Sequence, residues 1–124
     1  MTAHLEQTLQ RDIDRIRGKI ATMAALAERA LKDAVQALGQ RSRPLAYSII
    51  LRDQRIDELE KEVDRLCLEF IVRQQPVAGL LRFAYATIKV NSEVERVGDY
   101  AESMARQILT ITSVEGVEFP QERF

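Results

Sequence analysis

Apolar residues recur along the first third of the chain at steps of three and four: Leu5, Leu9, Ile13, Ile16, Ile20, Met23, Ala27, Ala30, Ala34 and Leu38. That spacing draws one apolar stripe along a helix. Gly39 is the expected C-terminal stop, and Pro44 suits the first turn of the element that follows. The second segment, from about residue 44 to 74, carries Ile49, Ile56, Leu59, Val63, Leu66, Cys67 and Phe70. Gln75-Pro76 breaks it. A third segment continues to about Ile111 through Leu81, Ala84, Ile88, Val94, Ala101, Ala105 and Ile108. Each helix is therefore roughly 45–50 Å long. Links this short force neighbouring helices to run antiparallel, and three are the smallest number that closes the stripes on one another. The pattern predicts an all-α fold, a long antiparallel three-helix bundle running up-down-up over residues 1–112. Residues 113–124, with Gly116 and Pro120, have no helical period and read as a linker or frayed tail.

Composition narrows the picture. The 124 residues suit one domain, and 46% hydrophobic with 30% charged residues is a globular balance. Five glycines and three prolines are too few for many turns and fit a few long helices. Lys plus Arg number 18 against 19 Asp plus Glu, a net charge of -1, which argues against a broad nucleic-acid surface. The single cysteine, Cys67, excludes an intrachain disulfide and fits a reducing compartment. No apolar run approaches the ~20 residues that span a bilayer, and the first residues lack a signal-peptide pattern. A soluble cytoplasmic domain is expected.

The core pattern is interrupted by acids. The second helix has a seam at positions 49, 53, 56, 60, 63, 67 and 70, two of which are Asp53 and Glu60, with Asp57 one turn beyond Asp53. The third-helix seam, 77, 81, 84, 88, 91, 95, 98, 102 and 105, includes Asn91, Glu95 and Glu102, and Asp99 follows Glu95 by one turn. Acids at i and i+4 point the same way. A hairpin turning near Pro76 puts Asp57 level with Glu95 and Asp53 level with Asp99. Four carboxylates then gather at one height, where they repel and raise one another's pKa values unless something cationic sits among them. Arg52, Arg55, Lys61 and Arg96 are near in sequence and offer ordinary ion pairing. The first helix, however, faces this level with Met23, Leu26, Ala27 and Ala30 and no base. Hard cations held by carboxylate oxygens are the alternative.

At this point the sequence resembles the PhoU domain family of phosphate-signalling proteins. The resemblance lies in "RDQRIDELEKEVDRLCLEFIVRQQPVAGLLRF" and "ATIKVNSEVERVGDYAESMA". Asp53 with Asp57, the turn Gln75-Pro76-Val77-Ala78, and Glu95-Arg96-Val97-Gly98-Asp99 fall in the family's order and spacing, and "MAALAERALKDAVQAL" in the first helix adds to it. The resemblance covers about residues 5–111. It implies a three-helix bundle and metal clusters of iron, zinc or manganese on E(D)-x-x-x-D motifs. The ligands carried over are Asp53, Asp57, Glu95 and Asp99, with Glu93 and Glu60 behind them. It also implies a negative regulator of the phosphate response that links a phosphate ABC transporter to a sensor histidine kinase. Two features depart from the family. Its members usually carry two such domains in tandem, whereas this sequence holds one, which suggests a lone domain, part of a longer protein, or a protomer of a homodimer. The turn is followed by Leu80-Leu81-Arg82 where the family often has Asp-Leu-Arg, so an acid is missing at the hairpin tip.

Other residues carry less. His4 is far from the acids, and without further histidines the Glu-x-x-His di-iron pattern is absent. Cys67 lies on the core seam as a small hydrophobe. Gly98, between Glu95 and Asp99, costs helix stability (~1 kcal/mol relative to Ala) and signals a close backbone approach, a metal site or a tolerated surface glycine. Tyr47, Tyr85 and Tyr100 read as amphipathic packing residues, and Asn91 as a register-setting polar group. Three functions compete: a non-enzymatic regulatory adaptor with a metal site, a metal-free dimerising scaffold, and a multinuclear metal enzyme. The last lacks histidine ligands, a phosphate-cradling Gly-rich loop and any nucleophile–histidine pair.

Overall fold

The computed structural model describes residues 2–114, with side chains from residue 6 onward; the His4 side chain and residues 115–124 lie outside it. Three helices follow one another: α1 (Thr2–Gln40), α2 (Arg43–Gln74) and α3 (Ala78–Ser113). All three pairs pack together, so the described chain is the expected antiparallel three-helix bundle. Of the tail expected from residue 113, Ser113 closes α3 and Val114 caps it.

The first turn differs from expectation in one detail. Gly39 is inside α1, and the helix ends instead with Arg41 in the left-handed region at φ 51°. Ser42 N–H donates to the Ala37 carbonyl (3.0 Å) and Arg41 N–H to Leu38 (3.4 Å), the Schellman pattern. The Ser42 side chain then accepts from Leu45 N–H at 3.3 Å, and Pro44 sits in the first turn of α2. At the other end Gln75, also left-handed at φ 42°, donates its N–H to the Ile71 carbonyl (3.2 Å), and Pro76 cannot continue the helix.

The core has three tiers. At the α1–α2 turn, Ala30, Ala34, Ala37, Ala46, Ala101 and Ala105 bring the helices close together around Ile49 and Ile108. In the middle Met23 and Ala27 of α1 meet Ile56 and Leu59 of α2, with Val94 and Val97 of α3 alongside. Near the α2–α3 turn Ile13, Ile16, Val63, Cys67, Phe70 and Ala84 pack together. Arg43 ties the start of α2 to the end of α3, donating to the Leu109 carbonyl (2.9 Å) and to Thr112 Oγ1 (2.6 Å). No helix among the described residues is long and apolar enough to cross a membrane.

On α2 every predicted apolar seam residue is buried. The α1 stripe ends in Ala37 rather than Leu38, which is exposed, and on α3 Leu81 is exposed while Thr87 is buried. The consequence for the site is that Asp53 is truly in the core at 5% exposure, whereas Glu95 and Glu102 sit at the seam's edge, half-buried.

Candidate metal centre

The α2/α3 groove at the height of the middle tier is lined with carboxylates because two helix stripes that should be apolar are not. Asp53, Asp57 and Asp99, in turn buried, half-buried and exposed, each offer one oxygen, and these three oxygens lie within 4.8 Å of one another. The predicted register across the hairpin holds here. Glu95, the fourth residue expected, is outside that triplet but lies close enough to Asp57, Glu60 and Asp99 for its proton to be shared with one of them. Glu60 therefore joins the cluster's lower edge. Glu93 is exposed and pairs with Arg96 at 3.4 Å, away from the group. Glu102, on the predicted seam but outside the expected ligands, hydrogen-bonds Asp53.

Of the bases near in sequence, Arg52, Arg55 and Arg96 are engaged elsewhere, while Arg106 and Lys61 act on the edge of the cluster. Arg52 reaches Asp33 of α1 at 2.6 Å, and Arg55 pairs with Glu58 at 3.5 Å. Arg106 grips Glu102 through Nε and Nη2, at 2.9 and 2.7 Å. Lys61 acts on Asp57 only through its field. At α1 this height is apolar, with Met23 and Ala27 against Ile56 and Leu59.

Carboxylates this close repel by about 3 kcal/mol per pair at an effective dielectric near 20. Three ionised together would consume most of a small domain's stability, so protons must stand in for absent cations. Burial above all, then the bond to Glu102 and the charges of Asp57, Glu102 and Asp99, push the Asp53 carboxyl up to about 8. Burial and the neighbouring Asp99, Glu60 and Asp57 push Glu95 up to about 7. Asp57 and Glu60 are raised too, each first by burial. Glu102 moves the other way, held ionised by Asp53 and Arg106. Of the pair, Asp53 is the one pushed toward its protonated form and Glu102 toward its ionised form.

Two observations bear on whether a cation fits. Asp53 Oδ1 is buried with no hydrogen-bond partner among the described residues, although an unmatched buried acceptor ordinarily costs ~1–3 kcal/mol. Gly98 lets α2 and this carboxyl come close against α3: a Cβ there would stand 3.3 Å from Asp53 Oδ1 and 3.2 Å from Ile56 Cδ1. Of the readings weighed for Gly98, close approach of the helices is the one the packing supports. An oxygen-only donor set with an unused buried oxygen suits a hard or borderline divalent or trivalent cation, manganese or iron ahead of zinc.

Below the acids, Asn91 is fully buried and donates from Nδ2 to the Glu60 carbonyl (2.9 Å) and to Asp64 Oδ1 (3.0 Å), tying α3 to α2 in register as expected. Cys67 is buried, and its thiol is pushed up to about 11 by burial, unsuited to nucleophilic work.

Comparison with known proteins places these features in a family frame. The model of the PhoU domain matches residues 20–108, a span that includes every acid of the cluster. A phosphate-specific transport system accessory protein PhoU homolog of Caulobacter vibrioides is 30% identical over 115 residues, 93% of this chain and 50% of the relative. The phosphate-specific transport system accessory protein PhoU of Serratia marcescens is 32% identical over 109 residues, 88% of this chain and 45% of the relative. Its namesake in Escherichia coli (strain K12) is 29% identical over the same length, with the same coverage. The chain spans about half the length of the curated relatives it matches.

Proposed function

The chain belongs to the PhoU domain family, and from that premise we propose that it serves as a non-enzymatic regulatory adaptor of phosphate transport and signalling whose α2/α3 carboxylates hold a metal. Support for the transport role comes from relatives named as accessory proteins of a phosphate-specific transport system. The metal reading is carried by Asp53, whose Oδ1 is buried with no hydrogen-bond partner among the described residues and whose carboxylate places an oxygen within 4.8 Å of oxygens of Asp57 and Asp99. In this reading Asp53, Asp57, Glu95 and Asp99 are the ligands. A bound iron, zinc or manganese ion supplies the positive charge that the cluster lacks. Asp53 and Glu95 then give up their protons, and the four carboxylates that pushed α2 from α3 draw them together. The hairpin stiffens and presents a fixed surface to its partners. These are a phosphate ABC transporter and a sensor histidine kinase at the cytoplasmic face of the membrane, with the chain as a negative regulator. The same reading pairs two copies into a homodimer across the α1/α3 face. There Leu38, Tyr100, Met104, Ile108 and Ile111 line an apolar cavity of about 550 Å³, and exposed apolar surface of this kind marks interaction sites.

Elemental analysis of protein purified without chelator, alongside its mass in solution, tests this. Near-stoichiometric metal that disappears in Asp57→Asn/Asp99→Asn is expected, with a mass of two chains. Metal-free, fully folded wild-type protein would leave only the scaffold role. For the regulatory half, cells lacking the chain should take up phosphate without restraint until the wild type, but not the double variant, is restored. Equal rescue by both would detach regulation from the metal.

A further inference from the structure

The metal ligands proposed above leave one acid of the cluster without a role. Glu102 stands one turn beyond Asp99, on the far side of Gly98 from Glu95. Because Gly98 has no side chain, Asp53 reaches in against α3, with Oδ1 buried and unpartnered. Glu102 meets the Asp53 carboxyl and, although outside the triplet of Asp53, Asp57 and Asp99, lies near enough to act on Asp57 as well. Its carboxylate is half-buried, at 23% side-chain exposure, and it is turned toward the cluster while Arg106, 61% exposed, holds it from the solvent side at 2.7 Å. The acids of α3 therefore bracket Asp53: Asp99 and Glu95 on the side of the α2–α3 turn, Glu102 on the other.

We propose that Glu102 is a ligand of the same cation, closing the site at the end that the E(D)-x-x-x-D pairs leave open, and that Arg106 competes with the cation for it. The inference rests on the metal reading above. Three features favour it over a structural ion pair. An i,i+4 Glu–Arg pair on a helix surface needs no buried neighbour, yet Glu102 is bonded inward to Asp53, a carboxylate, which is a costly partner unless something positive or a proton lies between them. The unpartnered oxygen belongs to the residue Glu102 touches. Finally, the Arg106 guanidinium donates from two nitrogens to one oxygen, Glu102 Oε1, which holds the glutamate in place and leaves its other oxygen out of that grip, and the arginine is exposed enough to swing away.

The test is titration of chelator-treated protein with Mn²⁺, followed by calorimetry and by the manganese spin-resonance signal, for wild type, Glu102→Gln, Arg106→Ala and Glu93→Gln. Glu102→Gln should weaken binding at least tenfold, since losing even an outer partner of a metal ligand typically costs about 10–100-fold. Arg106→Ala should tighten it about twofold, matching the small worth of an exposed i,i+4 pair. Glu93→Gln, paired with Arg96 outside the cluster, should leave it unchanged. Circular dichroism melts of the metal-free variants establish that each is folded. Binding by Glu102→Gln equal to wild type, with Asp57→Asn abolishing it, overturns the role of Glu102 and leaves the metal site standing. Weaker binding by Arg106→Ala overturns the competition and makes Arg106 a positioning residue. No binding by the wild type overturns both the site and this extension.

Discussion

Replacing Asp53 by Asn removes the acid that most burdens the metal-free fold. Its carboxyl is pushed up to about 8 from 3.8, so at pH 7 the folded chain keeps a proton there that the unfolded chain has released. The sign follows from that difference. Below about pH 4 both states are protonated and the penalty is absent. As the pH rises toward 8 only the folded state retains the proton, and stability falls by ~1.4 kcal/mol per unit. The ceiling at pH 7 is therefore about 4 kcal/mol, and water reaching the half-exposed neighbours brings the expected gain for Asp53→Asn to roughly 2–3 kcal/mol. The asparagine keeps the size and donates its amide to Glu102 in place of the acid proton. For a chain of this length the gain is a melting rise on the order of 10 °C. Thermal and urea unfolding by circular dichroism, in chelator from pH 4.5 to 8, reads it directly. Wild-type stability should decline as pH rises, the variant should decline less, and the two curves should converge near the acid end. Residual slope in the variant belongs to Asp57, Glu60 and Glu95, which are raised as well. An Asp53→Asn protein less stable than wild type at pH 7 in chelator, or with an identical pH slope, would show that Asp53 is ionised in the metal-free fold and refute the argument.

Metal should offset that penalty in wild type. At 100 times Kd, Mn²⁺ stabilises wild type by about 2.7 kcal/mol and Asp57→Asn/Asp99→Asn not at all; equal melting shifts in the two proteins would count against the site. Gly98→Ala sets about 1 kcal/mol of helix propensity against a Cβ placed 3.2–3.3 Å from buried Ile56 and Asp53. Overpacking of this kind costs ~1–3 kcal/mol, so a net loss near 1 kcal/mol is expected in a urea melt, and a stabilised variant would mean that α2 and α3 move apart freely. Arg43→Ala loses two hydrogen bonds to the end of α3. It should destabilise by ~1–3 kcal/mol, with faster amide exchange at residues 108–113 than elsewhere; uniform exchange would argue against a local clasp.

How far the site could be read from sequence depends on which helix carries it. On α2 the apolar line through Ile49, Ile56, Val63 and Phe70 is unbroken, so Asp53 stands out as an acid in a core position, and the structure buries it there. On α3 the buried residues keep the alternation of three and four, and one of its two lines, Ala84, Asn91, Gly98 and Ala105, is the expected one. Its second line runs one residue earlier than the expected 81, 88, 95 and 102, through Thr87, Ala101 and Ile108, and this offset turns Leu81 outward. It also leaves Glu95 and Glu102 at the edge of the groove rather than inside it. The end of α1 was misplaced for another reason. A glycine is the cheapest residue for a left-handed terminus, but the Ser42 cap and Pro44 begin α2 so soon that the reversal falls on Arg41. The pairing of heights across the α2–α3 hairpin survived these errors because it depends only on the turn at Pro76 and a common rise per residue. Glu102 was visible on the seam but not as part of the site, since its partner across the hairpin is set by the gap at Gly98, and a glycine's neighbours are a matter of packing. One acid in the core line with others along its rim is an arrangement that water alone serves badly: the rim acids can stay hydrated, but Asp53 needs a proton or a cation, and which of them it holds at neutral pH is the property on which the proposed role turns.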